Sequence, residues 1–174
     1  MSIPATYTNR NETGCCAVPQ LDGWDRATID LSDQHFIRLH TRSVLHMPLN
    51  MAKVMTSLQE TAAKAKAEMP PEHALILSRD LSPWRAEQLY SVSRPVEGAD
   101  NVVLRGTYAT RVYEGSYSEA REWVGDITDY VHGMDRSPQE IYFFYTTCPA
   151  CAKHYGKNYV IALARLDEPA SVAA

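Results

Sequence analysis

The chain has 174 residues, with 17 Lys and Arg against 21 Asp and Glu, a formal net charge of −4. At 45% apolar and 22% charged residues it has the composition of one globular domain rather than of a disordered or fibrous chain. An acidic balance without a Lys/Arg run excludes a surface built to track a phosphate backbone, and no apolar run reaches the roughly 18 residues of a membrane span. The first residues lack a basic segment followed by an apolar one, so no secretory signal is read and a cytoplasmic setting is expected.

In chain order, residues 1–34 read as an irregular N-terminal arm: Asn9 to Gly14 is polar, and Pro19, Asp22 and Gly23 are turn formers. Residues 35–167 read as a single domain, and 168–174 as a small, unpatterned tail. Within the domain, Phe36 to Val44 alternates as a strand. Asn50 is positioned to cap a helix running to about Ala67, with Met51, Val54, Met55, Leu58 and Ala62 on one face until Pro70-Pro71 ends it. Ala74 to Ser78 and Glu87 to Val96 follow as strands.

The same order then returns about 66 residues later, counted from Phe36 to Val102. Val102 to Tyr113 reads as one long strand with a bulge at Gly106. Ser116 and Glu119 have capping-box spacing before a helix whose stripe is Ala120, Trp123, Val124, Ile127, Tyr130 and Val131, closed by Gly133. Ile141 to Tyr145 and Tyr159 to Leu166 are the last strands. A duplicated strand–helix–strand–strand unit predicts an α+β fold, a mainly antiparallel sheet with two helices on one face.

Four cysteines carry the most specific local signal. Cys148-Pro-Ala-Cys151 is a knuckle that brings two thiolates to one ion, and Cys15-Cys16 can complete a tetrahedral zinc site, with His154 as a substitute ligand. Such a zinc would staple the arm to the last strand pair. Plain packed thiols and a thiol oxidoreductase using Cys148 and Cys151 are the competing readings, though about one turn of helix after Cys151 offers little dipole to activate a thiol.

Ten tyrosines and three tryptophans against three phenylalanines suit a cleft for a flat organic molecule. Trp84, Tyr108, Tyr113, Tyr145 and Tyr159 are the candidate ligand-binding residues. Glu87 and Glu114 are the candidate catalytic carboxylates that would activate water, and His40 and His46 are further acid–base candidates. No nucleophile elbow, P-loop or H-E-x-x-H motif is present.

Leu104-Arg-Gly-Thr-Tyr108 through Tyr113-Glu114-Gly115-Ser-Tyr117 resembles the Gly-x-Tyr … Gly-Pro-Tyr passage of the GyrI-like family, with Ser116 where proline is usual. Gly14-Cys15-Cys16 together with Cys148-Pro-Ala-Cys151 resembles a GyrI-like subgroup of small proteins loosely labelled hydrolases. The resemblance implies a concave cleft between the two halves that takes up bulky, often cationic molecules. It also implies either hydrolysis of a reactive compound or a non-catalytic role as a sequestering or protein-binding module. The family often has an acidic residue in the strand matching Tyr142 to Tyr145; here that position is Phe143.

Overall fold

A computed structural model describes residues 3–167; the 168–174 tail read from the sequence lies outside them. The chain forms β1 (Ala27–Asp30), β2 (Gln34–Val44), β3 (Met47–Pro48), α1 (Met51–Lys64), β4 (Ile76–Ser82), β5 (Arg85–Val92), β6 (Asn101–Leu104), β7 (Thr107–Glu114), α2 (Ala120–His132), β8 (Pro138–Tyr145), α3 (Pro149–Tyr155) and β9 (Tyr159–Leu166). All strands join one antiparallel sheet in the order β1-β7-β9-β8-β4-β5-β2-β3, with β6 also bonded to β2. The duplicated α+β unit is therefore real: β2-α1-β4-β5 and β7-α2-β8-β9 meet at β4 and β8, where Leu77 faces Phe144 and Ser78 faces Phe143.

The sheet has to curl. Six strand spacings separate β1 from β2, about 29 Å if the sheet were flat. Yet only Leu31, Ser32 and Asp33 join them, a reach of roughly 14 Å. The inner face accordingly buries one continuous cluster drawn from both ends of the sheet, including Ile29, Phe36, Leu77, Leu89, Leu104, Tyr108, Phe144, Ile161 and Leu163. The outer face carries two separate clusters, one under each helix. Val54, Leu58 and Ala62 of α1 pack with Ile37 and Val92, while Trp123, Ile127 and Val131 of α2 pack with Phe143, Val160 and Ala162.

Several local expectations are corrected. The arm is irregular but not peripheral: Trp24 is fully buried in the inner cluster, its indole N–H donates to the Ala5 carbonyl at 2.9 Å, and Tyr7 meets Phe144 edge-on. Its end is β1, a strand not read from the sequence. The strand expected over Val102 to Tyr113 is two, because Gly106 at φ +96° redirects the chain so that β6 bonds β2 and β7 bonds β1 and β9. The Asn50 side chain does not cap α1; its Oδ1 accepts from the Arg42 N–H at 2.8 Å. The Ser116–Glu119 capping box forms as expected, and Val124 of the expected stripe is exposed. Among the described residues no helix is long and apolar enough to cross a membrane.

Candidate functional site

Two features stand out: a charged rim at one end of the inner face, and the cysteine cluster. The rim follows from strand alternation. On each of five strands the residues facing the inner cluster change from apolar to charged or phenolic toward one end of the sheet: Phe36 to Arg38, Leu89 to Glu87, Leu77 to Arg79, Phe144 through Tyr142 to Glu140, and Leu163 to Arg165. The pairing register aligns these ends into a chain of alternating sign.

Glu87, 2% exposed, accepts from Arg79 Nε at 2.7 Å and from Arg38 Nη1 at 3.3 Å. Arg79 also donates to Glu140 Oε1 at 2.6 Å and lies 5.1 Å above the Tyr142 ring. Arg165 Nη1 stands 3.6 Å from the other Glu140 oxygen, and Arg38 forks onto Asp100 at 2.8 and 3.3 Å. Tyr108 is fully buried beside this row, and its hydroxyl has no hydrogen-bond partner among the described residues. Burial pushes its pKa up to about 12, so it stays a proton donor at neutral pH. Burial, reinforced by Glu140, likewise raises Tyr142. A recess of about 510 Å³ bounded by Gly106, Thr107, Gln139 and Arg165 opens at this end.

The structure gathers only part of the residues picked from the sequence. Glu87 and Tyr108 share the inner face at the rim. Glu114 stands at the opposite end of β7, half exposed and 3.5 Å from Lys157 Nζ, so the two glutamates do not form one site. Both Glu87 oxygens are held by guanidinium groups, which fits a residue that positions others rather than one that takes protons. The single cleft expected from Trp84, Tyr108, Tyr113, Tyr145 and Tyr159 is not formed. Tyr113 stacks on Trp123 under α2 with its hydroxyl on Asp126, and Tyr145 meets Tyr117, both on the outer face. Tyr159 faces inward beside Glu114 and Lys157, and Trp84 is exposed on the β4–β5 hairpin. The centre of the hollow is filled by the arm. His40 lies beside Glu87 on β2, its pKa lowered by burial and by Arg85, and His46 pairs with Asp80 at 2.7 Å. Arg79, Glu140, Tyr142 and Arg165 were not read from the sequence; their only signal is a charge or phenol on the core-facing phase of an apolar strand.

The four cysteines expected to share a metal site are close enough together that they could hold a metal ion. The sulfurs of Cys15, Cys16, Cys148 and Cys151 all lie within 4.8 Å of one another. Gly14 at φ +70° turns the arm so that the adjacent pair faces the start of α3. There Pro149 opens the helix, and Gly156 closes it in the left-handed conformation. The arm is fixed by hydrogen bonds: Tyr155 Oη donates to the Cys16 carbonyl at 2.8 Å, and the Cys148 N–H reaches Cys16 Sγ at 3.5 Å. Cys15 and Cys16 sulfurs are 3.7 Å apart, too far for a disulfide and close to the roughly 3.8 Å between sulfurs sharing one tetrahedral ion with 2.3 Å bonds. The Thr13 hydroxyl, 3.2 Å from Cys151 Sγ, holds that thiol down to about 7, while burial pushes Cys16 up. His154 instead faces Glu12 at 3.1 Å.

A family model described as Bacterial hydrolase matches residues 6–166. Three solved structures from Listeria innocua share the fold. The structure of a hydrolase has 10% identity and a TM-score of 0.60 over 84% of this chain and 95% of its own. The structure of an uncharacterized conserved protein has 12% and 0.59 over 83% and 94%, and that of another hydrolase 13% and 0.60 over 84% and 95%. No curated protein matches the chain.

Proposed function

The chain belongs to the family described as Bacterial hydrolase, and from that premise we propose a GyrI-like domain that binds a bulky organic molecule at the charged rim of its inner face and hydrolyses it. The observation that carries this reading is the buried carboxylate of Glu87 held between two arginines, in a row whose Arg79, Glu140 and Arg165 act on a buried tyrosine hydroxyl that has no partner among the described residues. Taking a row of charges out of water costs more than packing apolar groups there, and a perturbed, converging set of this kind is the usual mark of a working site.

In this reading Glu87 is a positioning residue that fixes Arg38 and Arg79. The Glu140 side chain is 26% exposed against 3% for Glu87, and its Oε2 stands 3.6 Å from Arg165, outside hydrogen-bond range. It takes a proton from water as the water oxygen bonds to a carbonyl carbon and the C=O π pair moves onto its oxygen. The adduct then breaks its bond to the leaving alcohol, which receives that proton. Tyr108 Oη donates to the oxygen on which negative charge develops, as Arg79 does by its field. Hydrolysis of p-nitrophenyl acetate and butyrate tests it. Glu140→Gln and Tyr108→Phe are expected to lower kcat at least a hundredfold with circular dichroism unchanged. Unchanged turnover in Glu140→Gln overturns the assignment, and binding without turnover by the native protein favours the sequestering module.

We further infer that Cys15, Cys16, Cys148 and Cys151 would hold a zinc ion. Four thiolates close a tetrahedral site and leave no position for water, so the metal would supply cross-linking of the arm rather than chemistry. Four free thiols in one cluster also suit a reducing, cytoplasmic setting. Elemental analysis of the purified protein tests this: one zinc per chain supports it, and metal-free protein with four titratable thiols favours the packed or redox reading.

A further inference from the structure

A second concavity lies on the outer side of the molecule, at the flank of α1. It has a volume of about 590 Å³, within the range of small-molecule sites, and its walls are of two kinds. Leu39, Leu49 and Val54 give it an apolar side; Arg42 and Lys53 give it two cations. Neither cation is in an ion pair among the described residues, whereas Arg38 and Arg79 of the rim are engaged with carboxylates. The first turn of α1 contains no acidic residue to offset them.

The apolar side does not stop at the recess. Leu49 is 70% exposed, and Leu45 and Met47 on the adjoining hairpin are each 69% exposed, so large apolar side chains stand open to solvent within a few residues of the recess. Leu45 and His46 hold positive φ, 48° and 69°, as the two-residue turn that joins β2 to β3 requires. Large apolar side chains so exposed beside unpaired cations match a ligand with a hydrocarbon tail and an anionic head.

We propose that this recess is a binding site for a soluble anionic amphiphile, a long-chain carboxylate or its organic-phosphate equivalent, with Arg42 and Lys53 on the head and Leu49, Met47 and Leu45 along the tail. The site is separate from the charged rim and does not depend on hydrolysis there.

Isothermal titration with sodium dodecanoate below its micelle concentration is the test. One saturable site is expected, weakened at least tenfold in Arg42→Gln/Lys53→Gln and in Leu49→Asp. All three positions are at the surface flank, and thermal melts of the variants are expected to match the native protein. Sodium acetate and octyl glucoside, head without tail and tail without anion, are expected to bind at least tenfold more weakly than dodecanoate. Either one binding as tightly, or dodecanoate binding unchanged in the double variant, overturns the proposal. Sedimentation with phosphatidylglycerol vesicles in the absence of saturable dodecanoate binding assigns the surface to a bilayer and also overturns it.

Discussion

Arg79 donates to Glu87 through Nε and to Glu140 through Nη1, so one guanidinium on β4 ties the buried carboxylate of β5 to the open one of β8 across the seam between the two halves. The two repeats are thus joined on their inner face by charge, beside only two paired rungs of backbone.

Removing Glu87 leaves Arg38 and Arg79 facing each other's charge in a nearly closed setting. Glu87→Ala is expected to destabilise the fold by about 2–4 kcal/mol, the range for breaking a buried pair from one side. Urea denaturation checks it, and a loss below about 0.5 kcal/mol would show that the rim is solvated and the pair dispensable.

Trp24 should matter as much as any strand residue, although it belongs to a segment without regular structure. Its indole fills the centre of the inner cluster, so Trp24→Ala is expected to cost roughly 3–5 kcal/mol. An arm that merely lies on the surface would lose under about 1 kcal/mol in the same denaturation experiment.

The thiol cluster predicts a coupling between metal and arm. If the cluster holds zinc, Cys148→Ser is expected to lose it, to lower Tm, and to make the amides around residues 6 to 20 exchange faster, since of these Thr6 bonds the Glu72 carbonyl while Thr8, Val18 and Gln20 bond only within the arm. Hydrogen exchange by mass spectrometry reads this segment directly. Loss of metal without faster exchange there would mean that hydrogen bonding alone holds the arm.

Acid should weaken the link between Arg38 and Asp100. The forked hydrogen bond from Arg38 holds the Asp100 carboxyl below its usual 3.8. A group whose pKa is lower in the folded state contributes its full stability above the unfolded value, and the contribution disappears as pH falls through the folded value. Asp100→Asn is therefore expected to lower Tm at pH 7 by a few degrees at most, the exposed pair being worth under about 1 kcal/mol. The difference from the native protein should shrink below about pH 4. A constant difference down to pH 2 would exclude this origin.

Much of the fold was legible because its signals are local. The doubled strand–helix–strand–strand order shows in periods of two and 3.6, and Ser116 with Glu119 marks a helix start by hydrogen-bond chemistry that needs only three residues. The cysteines were legible for the same reason: C-x-x-C and an adjacent pair limit what their sulfurs can reach. Gly106 was seen as irregular, but whether it bulges one strand or separates two depends on which partners the chain finds on either side.

Residue spacing and residue type determined the α+β class, the two helices and the sulfur set. Tertiary structure alone decided that the sheet curls, that the arm fills the hollow, that Glu87 and Glu114 stand at opposite ends, and that the five aromatics divide between two faces. The physical reason is register. Alternation says which side chains share a face of one strand, but only the pairing of strands distant in the chain fixes which face closes inward and which charges come to rest beside one another.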